Sequence, residues 1–487
     1  MTTASVVSAP AELDPGLIGR VAAGERIELG PALLEATDRQ CAAARAVLAS
    51  GDPVYGVNTG MGALSGVRLT EAEQLAHQRG LLLARATGGP PWLDAADARA
   101  VIAVRLRTFL SGDSGVSAAL CQRLARFLNT NITPAIPREG VGSAGEILPL
   151  AHAFGPLAGI GRVLAPAADA TVPAAEALRA RGLDEFTLGP REGHALLAGV
   201  PGATALSLRR LADARALERV MEAAAALSIA AVGASRDPYT AACARGDDVH
   251  AGVLARLRAA FGDLPEPRAL QAPVSFRVAG PVFAQVLRAG DALAAAIGRA
   301  LDGMTDSPAF TGGRFTGTAG FHGLDLGAHC DALTAALAHA AEVCAARVHR
   351  LLDPRVTGLP AQLAARPGPD AGLVAVHKRA AGEVHALRRL TAVGSVGLIE
   401  TSGGQEDVQS FAWESADALR GALRHVHAVT ACELLTAYQA CALSDRPVPA
   451  GCRPIFEHLA ETVGQIEADR PFGEDIEGIL RAGPPGI

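Results

Sequence analysis

Tyr55 lies in a glycine-rich segment, "VYGVNTGMGAL" (residues 54–64), and is one of three tyrosines in the chain. Its phenol can act as a general acid or base. Gly56, Gly60 and Gly62 permit positive φ angles and a close approach of the backbone to a ligand. Glycine-rich turns with one tyrosine also occur for structural reasons, so this segment alone leaves both a catalytic and a structural role open.

A second segment, "VGSAGE" (residues 141–146), places Ser143 and Ala144 between Gly142 and Gly145. It follows the proline-rich stretch "TPAIPREG" and precedes an apolar helical run, "ILPLAHAFGPLAGIG". Because there is almost no side chain to pack, the backbone itself is expected to matter here. The pattern predicts a tight turn that leads into a helix.

Long helices must position these two segments. Good helix formers fill residues 210–235, 331–352 and 417–443 almost throughout, and several of these stretches are apolar on more than one face. Such helices belong in the middle of a bundle or between subunits, and alternating Val/Ile runs are scarce, so the predicted class is mainly α. Between the helices lie loops rich in Gly, Pro and Ser, where functional residues tend to be found, at residues 51–66, 137–146, 271–282, 306–323 and 401–411.

Composition excludes several classes of protein. The net charge is −6 and the charges are spread without long runs, which argues against a nucleic-acid partner. No window has eighteen uninterrupted apolar residues and the N-terminus has no signal pattern, so we expect no membrane partner and a cytoplasmic location. The stretch "FHGLDLGAHCD" lacks the spacing of a helical metal site, and "GPLAGIGRV" does not follow a strand; we therefore expect neither a metal nor a dinucleotide.

Motifs along most of the chain resemble those of the histidine, phenylalanine and tyrosine ammonia-lyases. The segment around Tyr55 is similar to the family's YGxNTGFG, and "EGVGSAGEILPLAH" (139–152) is similar to GSxGASGDLxPLAH. Five further segments that resemble family motifs follow in the same order. "REGHALLAGV" is similar to EGLALxNGT, "QAPVSFRVAGPV" to QDxYSxRCxPQV, "GMTDSPAF" to SATDNPLF, "GTAGFHG" to GGNFHG, and "SGGQEDVQSF" to SxQEDxVSM. The chain is therefore identified as a divergent member of the aromatic amino acid lyase family.

The resemblance implies a mainly α fold of the ammonia-lyase and fumarase type, with a long central helical bundle. It further implies a homotetramer whose active sites combine loops from three subunits. We divide the chain into residues 1–200, an N-terminal domain with both loops, and residues 201–487, the central bundle and C-terminal helices, within one continuous lyase-like unit.

Several site residues match the family motifs. Tyr55 matches the tyrosine proposed to remove the β-proton, and Arg277 matches the arginine that binds the substrate carboxylate. Glu406 matches a pocket position where a carboxylate could act as acid or base or hold a substrate amine. Gln271, Phe321 and Gln405 also match pocket positions.

Other positions depart from the motifs. Ala198 stands where the family has Asn in LxNG, Val274 where it has the second Tyr, and Gly320 where it has Asn in GGNFHG. Arg85 stands at the position of a substrate-selecting His, which predicts that it either binds an acidic ligand or pairs with Glu406.

The largest departure concerns the prosthetic group. In the family an Ala-Ser-Gly triad cyclises, and the Ser loses its hydroxyl to give a methylidene-imidazolone (MIO) electrophile. Here the triad is Ser143-Ala144-Gly145, and the methyl of Ala144 provides no β-leaving group. We therefore expect no MIO and no other cofactor, and a free Ser143 hydroxyl in its place. A triad shifted by one residue, Gly142-Ser143-Ala144, is disfavoured because a Cβ obstructs the compressed turn.

Three functions follow from this combination. The first is a lyase-like enzyme without MIO that acts by acid/base chemistry on an amino-acid-like or aryl-acid molecule in specialised metabolism, by elimination, addition, isomerisation or cyclisation, with Tyr55, Glu406 and Ser143 as catalytic groups. The second is a non-catalytic homologue that binds a ligand or a partner subunit. The third is an ordinary ammonia-lyase whose MIO comes from the shifted triad.

Overall fold

The computed structural model of the protein describes residues 4–167, 170–262 and 266–483. The prediction of a mainly α class is confirmed, since helices make up 62% of the structure. The α-helices are Pro15–Ala22 (α1), Pro31–Ala49 (α2), Glu71–Arg85 (α3), Ala95–Leu110 (α4), Ala118–Asn129 (α5), Ile147–Phe154 (α6), Ala174–Ala180 (α7), Glu192–Leu197 (α8), Pro201–Val232 (α9), Asp248–Phe261 (α10), Ala279–Asp302 (α11), Leu324–Leu351 (α12), Pro354–Thr357 (α13), Val374–Arg388 (α14), Ala412–Ala442 (α15), Arg453–Val463 (α16) and Phe472–Ala482 (α17).

The strands are short and form two-stranded sheets. In the described part of the chain they are Ser5–Val7 (β1), Ile27–Leu29 (β2), Arg162–Leu164 (β3), Thr171–Pro173 (β4), Ala309–Thr311 (β5) and Arg314–Thr316 (β6). β1 pairs with β2 in parallel, whereas β3–β4 and β5–β6 are antiparallel. Pairs this small cannot bury a core of their own, so the helices carry the packing.

Local sequence explains where the helices near the site begin. Thr70 and Glu73 form a capping box at the start of α3: the Thr70 N–H donates to the Glu73 carboxylate (2.7 Å), and the Thr70 hydroxyl accepts from the Glu73 N–H (3.4 Å). Asp94 caps α4 by accepting from the Asp97 N–H (2.8 Å). The capping box thus fixes the start of α3, the helix that ends at Arg85.

The three helical stretches predicted from composition lie largely within α9, α12 and α15, with small differences at their ends. The chain divides into two compact units. Four of the five boundaries between them fall within α9, α11, α12 and α15, and the fifth, between residues 392 and 393, falls in the segment between α14 and α15. Unit 1 contains residues 1–209, 294–330 and 393–417; unit 2 contains residues 210–293, 331–392 and 418–487.

The units are discontinuous in sequence, whereas the predicted division at residue 200 is continuous. Segments 294–330 and 393–417 belong to unit 1 because their backbones and side chains bond to the N-terminal part of the chain. The Phe310 N–H donates to the Asp113 carbonyl (2.6 Å), and the Trp413 indole donates to the Arg138 carbonyl (2.8 Å).

In unit 2, parts of α9, α12 and α15 meet at the carboxylate of Glu433. Arg347 binds it through both Nε and Nη2, the Ser228 hydroxyl donates to it (2.7 Å), and the Cys344 thiol also donates to it. The side chains of Arg347 and Glu433 are 1% and 0% exposed. A buried pair whose remaining lone pairs are filled by further donors is tolerated in a core, but either partner alone is not.

No helix in the described ranges is both long and apolar enough to cross a membrane.

We predict that Glu433→Gln lowers the free energy of unfolding by about 3–5 kcal/mol, because it leaves the Arg347 guanidinium buried opposite a neutral amide. Denaturant unfolding at fixed protein concentration measures this. The matched control is Glu342→Gln, which removes an exposed ion pair with Arg388 (2.7 Å) and should cost less than about 1 kcal/mol. Equal losses in the two variants would contradict the buried-pair interpretation.

Candidate active site

The loop that carries Tyr55 is held in shape by its own polar groups. The side chain of Asn58 accepts from the Val54 N–H (2.7 Å) and donates to the Asp52 carbonyl (2.7 Å). The Gly62 N–H donates to the phenolic oxygen of Tyr55 (2.8 Å). This hydrogen bond fixes the position of the phenolic oxygen relative to the loop backbone.

Gly56 is required at the base of this loop. Its φ is +68°, and a Cβ at this position would lie 2.3 Å from Cδ2 and 2.8 Å from Nε2 of His194. The loop can therefore pack onto the α8 histidine only with glycine here.

The predicted turn at residues 141–146 is present and leads into α6. The Ala144 N–H donates to the Glu406 carboxylate (3.1 Å), and the Thr401 hydroxyl donates to the same carboxylate (2.9 Å). The Thr401 N–H in turn donates to the Glu406 carbonyl (2.9 Å). Glu406 is thus oriented by its own loop and clamps the backbone of the 141–146 turn.

The expectation of a free Ser143 hydroxyl is wrong. The hydroxyl donates to the Gly145 carbonyl two residues away (2.9 Å), and the pocket is lined by Ala144 and Gly145 rather than by Ser143. A serine in a tight turn readily bonds nearby backbone, which removes its hydroxyl from the site.

Glu146 anchors the same turn to the first turn of α9. Its buried carboxylate accepts from the N–H groups of Gly202 (2.6 Å) and Ala203 (2.5 Å). Burial raises the pKa of Glu146 to about 7, against the opposing effect of these two hydrogen bonds and of Arg105. The helix N-terminus partly compensates for the buried charge.

These loops enclose a pocket of about 600 Å³ in unit 1. Its lining is mainly apolar, with a few polar groups at defined positions, as is typical of small-molecule sites. Of the predicted site residues, those that line it are Tyr55, Ala144, Gly145, Phe321, Gln405 and Glu406. Others in the lining are Met61, Ile147, His194, Leu197, Ala198, Pro308, Phe315, Asp407 and Val408.

Arg85 lies at the end of α3, just behind this lining. Its guanidinium contacts the Leu81 carbonyl (3.5 Å) and the Met61 sulfur (3.9 Å), and within the described residues it forms no ion pair with Glu406 or another carboxylate. Burial lowers the pKa of Arg85, while the nearby Tyr55 and Glu406 act in the opposite direction. Arg85 therefore adds positive charge to the wall that contains Met61.

Arg277 and Gln271 belong to unit 2 and are not among the residues that line the pocket of unit 1. Arg277 follows a short 3₁₀ turn, Val274–Phe276, and its buried Nε has no hydrogen-bond partner in the described part of the chain. Gln271 is exposed. The roles that the family resemblance gives them stay predictions.

The sequence analysis overlooked His194 and Met61. Both stand inside motifs that it used: His194 replaces the Leu of EGLALxNGT, and Met61 replaces the Phe of YGxNTGFG. His194 is 2% exposed, lines the pocket, and has its ring 6.1 Å from that of Tyr55 in an edge-to-face arrangement. A letter-by-letter comparison of the same motifs would have found both.

Among the described residues, no group of three or more His, Cys, Asp or Glu side chains is arranged to hold a metal ion.

Comparison with known proteins agrees with this architecture. Residues 13–463 match the family model described as aromatic amino acid lyase. A histidine ammonia-lyase from Symbiobacterium thermophilum is 30% identical over 483 residues, covering 96% of this chain and 94% of the relative. The tyrosine aminomutase from Streptomyces globisporus superimposes with a TM-score of 0.92 at 26% identity, covering 99% of this chain and 96% of that one. Ergothionase from Treponema denticola, an ergothioneine-degrading enzyme, gives a TM-score of 0.92 at 22% identity, covering 98% of each chain.

The helical fold is thus shared with lyases and aminomutases of amino acids. The chain belongs to the aromatic amino acid lyase family.

We predict that Glu146 makes the stability of the protein depend on pH. Because the pKa of Glu146 in the folded state, about 7, lies above its unfolded value, its stabilising contribution is complete below pH 4.5 and is lost as the pH rises through 7. Relative to Glu146→Gln, the wild type should lose about 2–3 kcal/mol of unfolding free energy between pH 5 and pH 8. The exposed Glu461→Gln serves as the control and should show no such trend; a constant difference between wild type and Glu146→Gln would refute the assignment.

Proposed function

We propose that the protein is an enzyme of the aromatic amino acid lyase family that acts on an amino-acid-like or aryl-acid molecule by proton transfer, without an MIO group. The observation that carries this proposal is the shared pocket of Tyr55 and Glu406 around a turn whose central residue is Ala144. The pocket keeps two groups capable of acid/base chemistry and has no side chain that could become the electrophile.

The residues of the turn do not fit MIO formation. The methylidene carbon arises from the Cβ of the middle residue after a hydroxyl leaves, and Ala144 has only a methyl there. The one hydroxyl in the turn belongs to Ser143 and is bonded to the Gly145 carbonyl. The shifted triad would need the Ala144 nitrogen to attack the Gly142 carbonyl, yet the Ala144 N–H is held by Glu406.

The surroundings of the turn support the same interpretation. At Gly320, where the family motif has Asn, a Cβ would lie 2.1 Å from the Met304 carbonyl oxygen. At Ala198, the second missing Asn, the backbone carbonyl accepts from the buried guanidinium of Arg105. The backbone thus leaves no space for a side chain at residue 320. At residue 198, the backbone carbonyl is bonded to Arg105.

The proposed chemistry relies on two proton carriers. Tyr55, whose oxygen accepts from the Gly62 N–H, acts as the phenolate and takes a proton from a carbon of the substrate. The electron pair of that C–H bond forms a double bond, and the leaving group departs with the pair of the bond that breaks. Glu406, in its protonated form, donates a proton to that leaving group. After the product leaves, Tyr55 releases its proton to solvent and Glu406 takes up a proton from solvent, so that both groups return to their starting forms. Addition follows the same steps in reverse.

Substrate binding completes the proposal. By resemblance to the family, Arg277 holds the substrate carboxylate, a task that suits a guanidinium because it can form two parallel hydrogen bonds. The buried Nε of Arg277 has no hydrogen-bond partner among the described residues, so it can donate to a ligand. The apolar lining, which includes Phe315 and Phe321, suits an aryl or alkyl side chain. The predicted homotetramer belongs to this proposal as well.

We predict that the intact mass of the purified protein equals that of the unmodified chain, because MIO formation would make it lighter by two waters. The double variant Ser143→Ala/Ala144→Ser restores the Ala-Ser-Gly order and is the comparison. It should show little ammonia release from histidine, phenylalanine or tyrosine, since Ala198 and Gly320 remain. A wild-type mass lower by two waters would overturn the proposal.

We predict that Tyr55→Phe and Glu406→Gln each lower turnover by about 10²–10⁴-fold, because each removes one proton carrier. A panel of amino acids and aryl acids, followed by mass spectrometry of the products, identifies the converted compound on which the variants are then compared. Tyr438→Phe removes only a hydroxyl bonded to the Gly464 carbonyl and serves as the matched control. A protein that binds panel members but converts none would support the non-catalytic homologue instead.

A further inference from the structure

His194 is the buried polar group that the proposed chemistry leaves unused. It lines the pocket, yet neither of its ring nitrogens has a hydrogen-bond partner within the described residues; Nδ1 is fully inaccessible, and the Cδ2–Nε2 edge faces Gly56. Its backbone is firmly held, because the His194 N–H donates to the Gln78 side chain (2.9 Å). A buried polar group without a partner costs about 1–3 kcal/mol, so a purely structural role would favour the Leu of the family motif.

The charges around His194 are mainly positive. Arg191 precedes it and is paired with Asp306 (3.1 Å), while Arg85 and His77 reach it from α3. Burial, followed by the positive charges of Arg191 and Arg85 and the neighbouring His77, holds the pKa of His194 well below its usual value. The imidazole is therefore neutral, with one nitrogen as donor and the other as acceptor.

Arg85 and Met61 extend the same wall. The Met61 sulfur lies 3.9 Å from the Arg85 guanidinium, and the Met61 side chain also borders the space above Gly56 that His194 occupies. Of the three residues that replace family motif residues on this side of the pocket, Arg85 contacts Met61, and Met61 and His194 both border Gly56. The negatively charged residues of the lining, Glu406 and Asp407, come from the 401–411 loop.

We propose that His194 is a specificity-determining residue that, with Arg85, binds an acidic substituent on the side chain of the substrate. Because Nδ1 is inaccessible, the ligand supplies the hydrogen-bond partner that Nε2 of His194 lacks. The nearby Arg85 guanidinium favours a carboxylate over a neutral group of the same shape. Met61, flexible and apolar, fills the gap between the two when the substituent is absent. This inference rests on the proposed function only in that the pocket holds an amino-acid-like molecule.

Three probes test the inference by isothermal titration calorimetry, without turnover. These are 4-carboxyphenylalanine, its neutral 4-carbamoyl analogue, and the α-amide of 4-carboxyphenylalanine. We expect the wild type to bind 4-carboxyphenylalanine at least about tenfold more tightly than the carbamoyl analogue, as a charge-assisted contact would give. The α-amide lacks the charged α-carboxylate but keeps the carboxylate on the ring. If His194 binds the ring carboxylate, variants of His194 should weaken the binding of the α-amide as strongly as that of 4-carboxyphenylalanine.

His194→Leu should reduce the preference for the carboxylate to less than about threefold, whereas His194→Gln, which retains a donor, should keep part of it. His339→Leu, at an exposed position of α12, is the matched control and should leave the preference unchanged. If the leucine variant does not fold, His194→Gln alone is compared with the wild type. It should then show a smaller preference for the carboxylate than the wild type does.

Several results would overturn the subsite. They are equal binding of the charged and neutral probes by the wild type, no binding of any probe, full preference in His194→Leu, or an α-amide whose affinity ignores His194. The last result would show that His194 binds the α-carboxylate. If the preference is missing while turnover still depends on Tyr55, only the subsite fails; if turnover is missing and the preference is present, only the proposed function fails.

Discussion

The hydrogen bonds between the Glu146 carboxylate and the start of α9 fix the floor of the pocket. The free N–H groups and the partial positive charge of a helix N-terminus let a carboxylate remain buried there. The arrangement needs Gly202, because a Cβ at this position would lie 2.7 Å from the Glu146 carboxylate and 2.2 Å from the Trp413 ring. Ala144 and Gly145, which immediately precede Glu146, are thereby held against the ligand space. The loop that carries Glu406 is bonded to this turn through the Ala144 N–H.

Glu406 connects that turn to the proposed proton transfer. Its carboxylate accepts from the Ala144 N–H and the Thr401 hydroxyl, so its orientation is set before a ligand arrives. A catalytic group held by neighbouring donors loses little freedom in the transition state, which is the advantage of preorganisation. The same bonds mean that a change of protonation at Glu406 alters its hold on the turn. Acid/base chemistry and the position of the pocket floor are therefore coupled through one side chain.

The sequence predicted much of this arrangement, for identifiable reasons. Long helices follow from composition, and the loops of Tyr55, Phe321 and Glu406 were found because their glycine-rich motifs are strong signals. The bond of the Ser143 hydroxyl to the Gly145 carbonyl was not predictable, since it depends on the dihedral angles of a single turn. The substitution at residue 194 is visible in the motif, but the burial of its ring beneath Gly56 was not predictable, because it depends on a segment far away in sequence. The assignment of segments 294–330 and 393–417 to unit 1 likewise depends on long-range contacts.

The close contact at Gly320 bears on how an MIO-free site would have to work. If only the order of Ser143 and Ala144 differed from the family, exchanging them would suffice to restore the electrophile. The Met304 carbonyl, however, occupies the place where a side chain at residue 320 would begin. A restored triad would thus lack one of its supporting amides unless the backbone moved. An enzyme built this way gains nothing from a substrate that needs an electrophile to expel ammonia. Under the proposed function, its substrate carries a leaving group that departs once one proton is removed and another is supplied, which is the chemistry proposed for Tyr55 and Glu406.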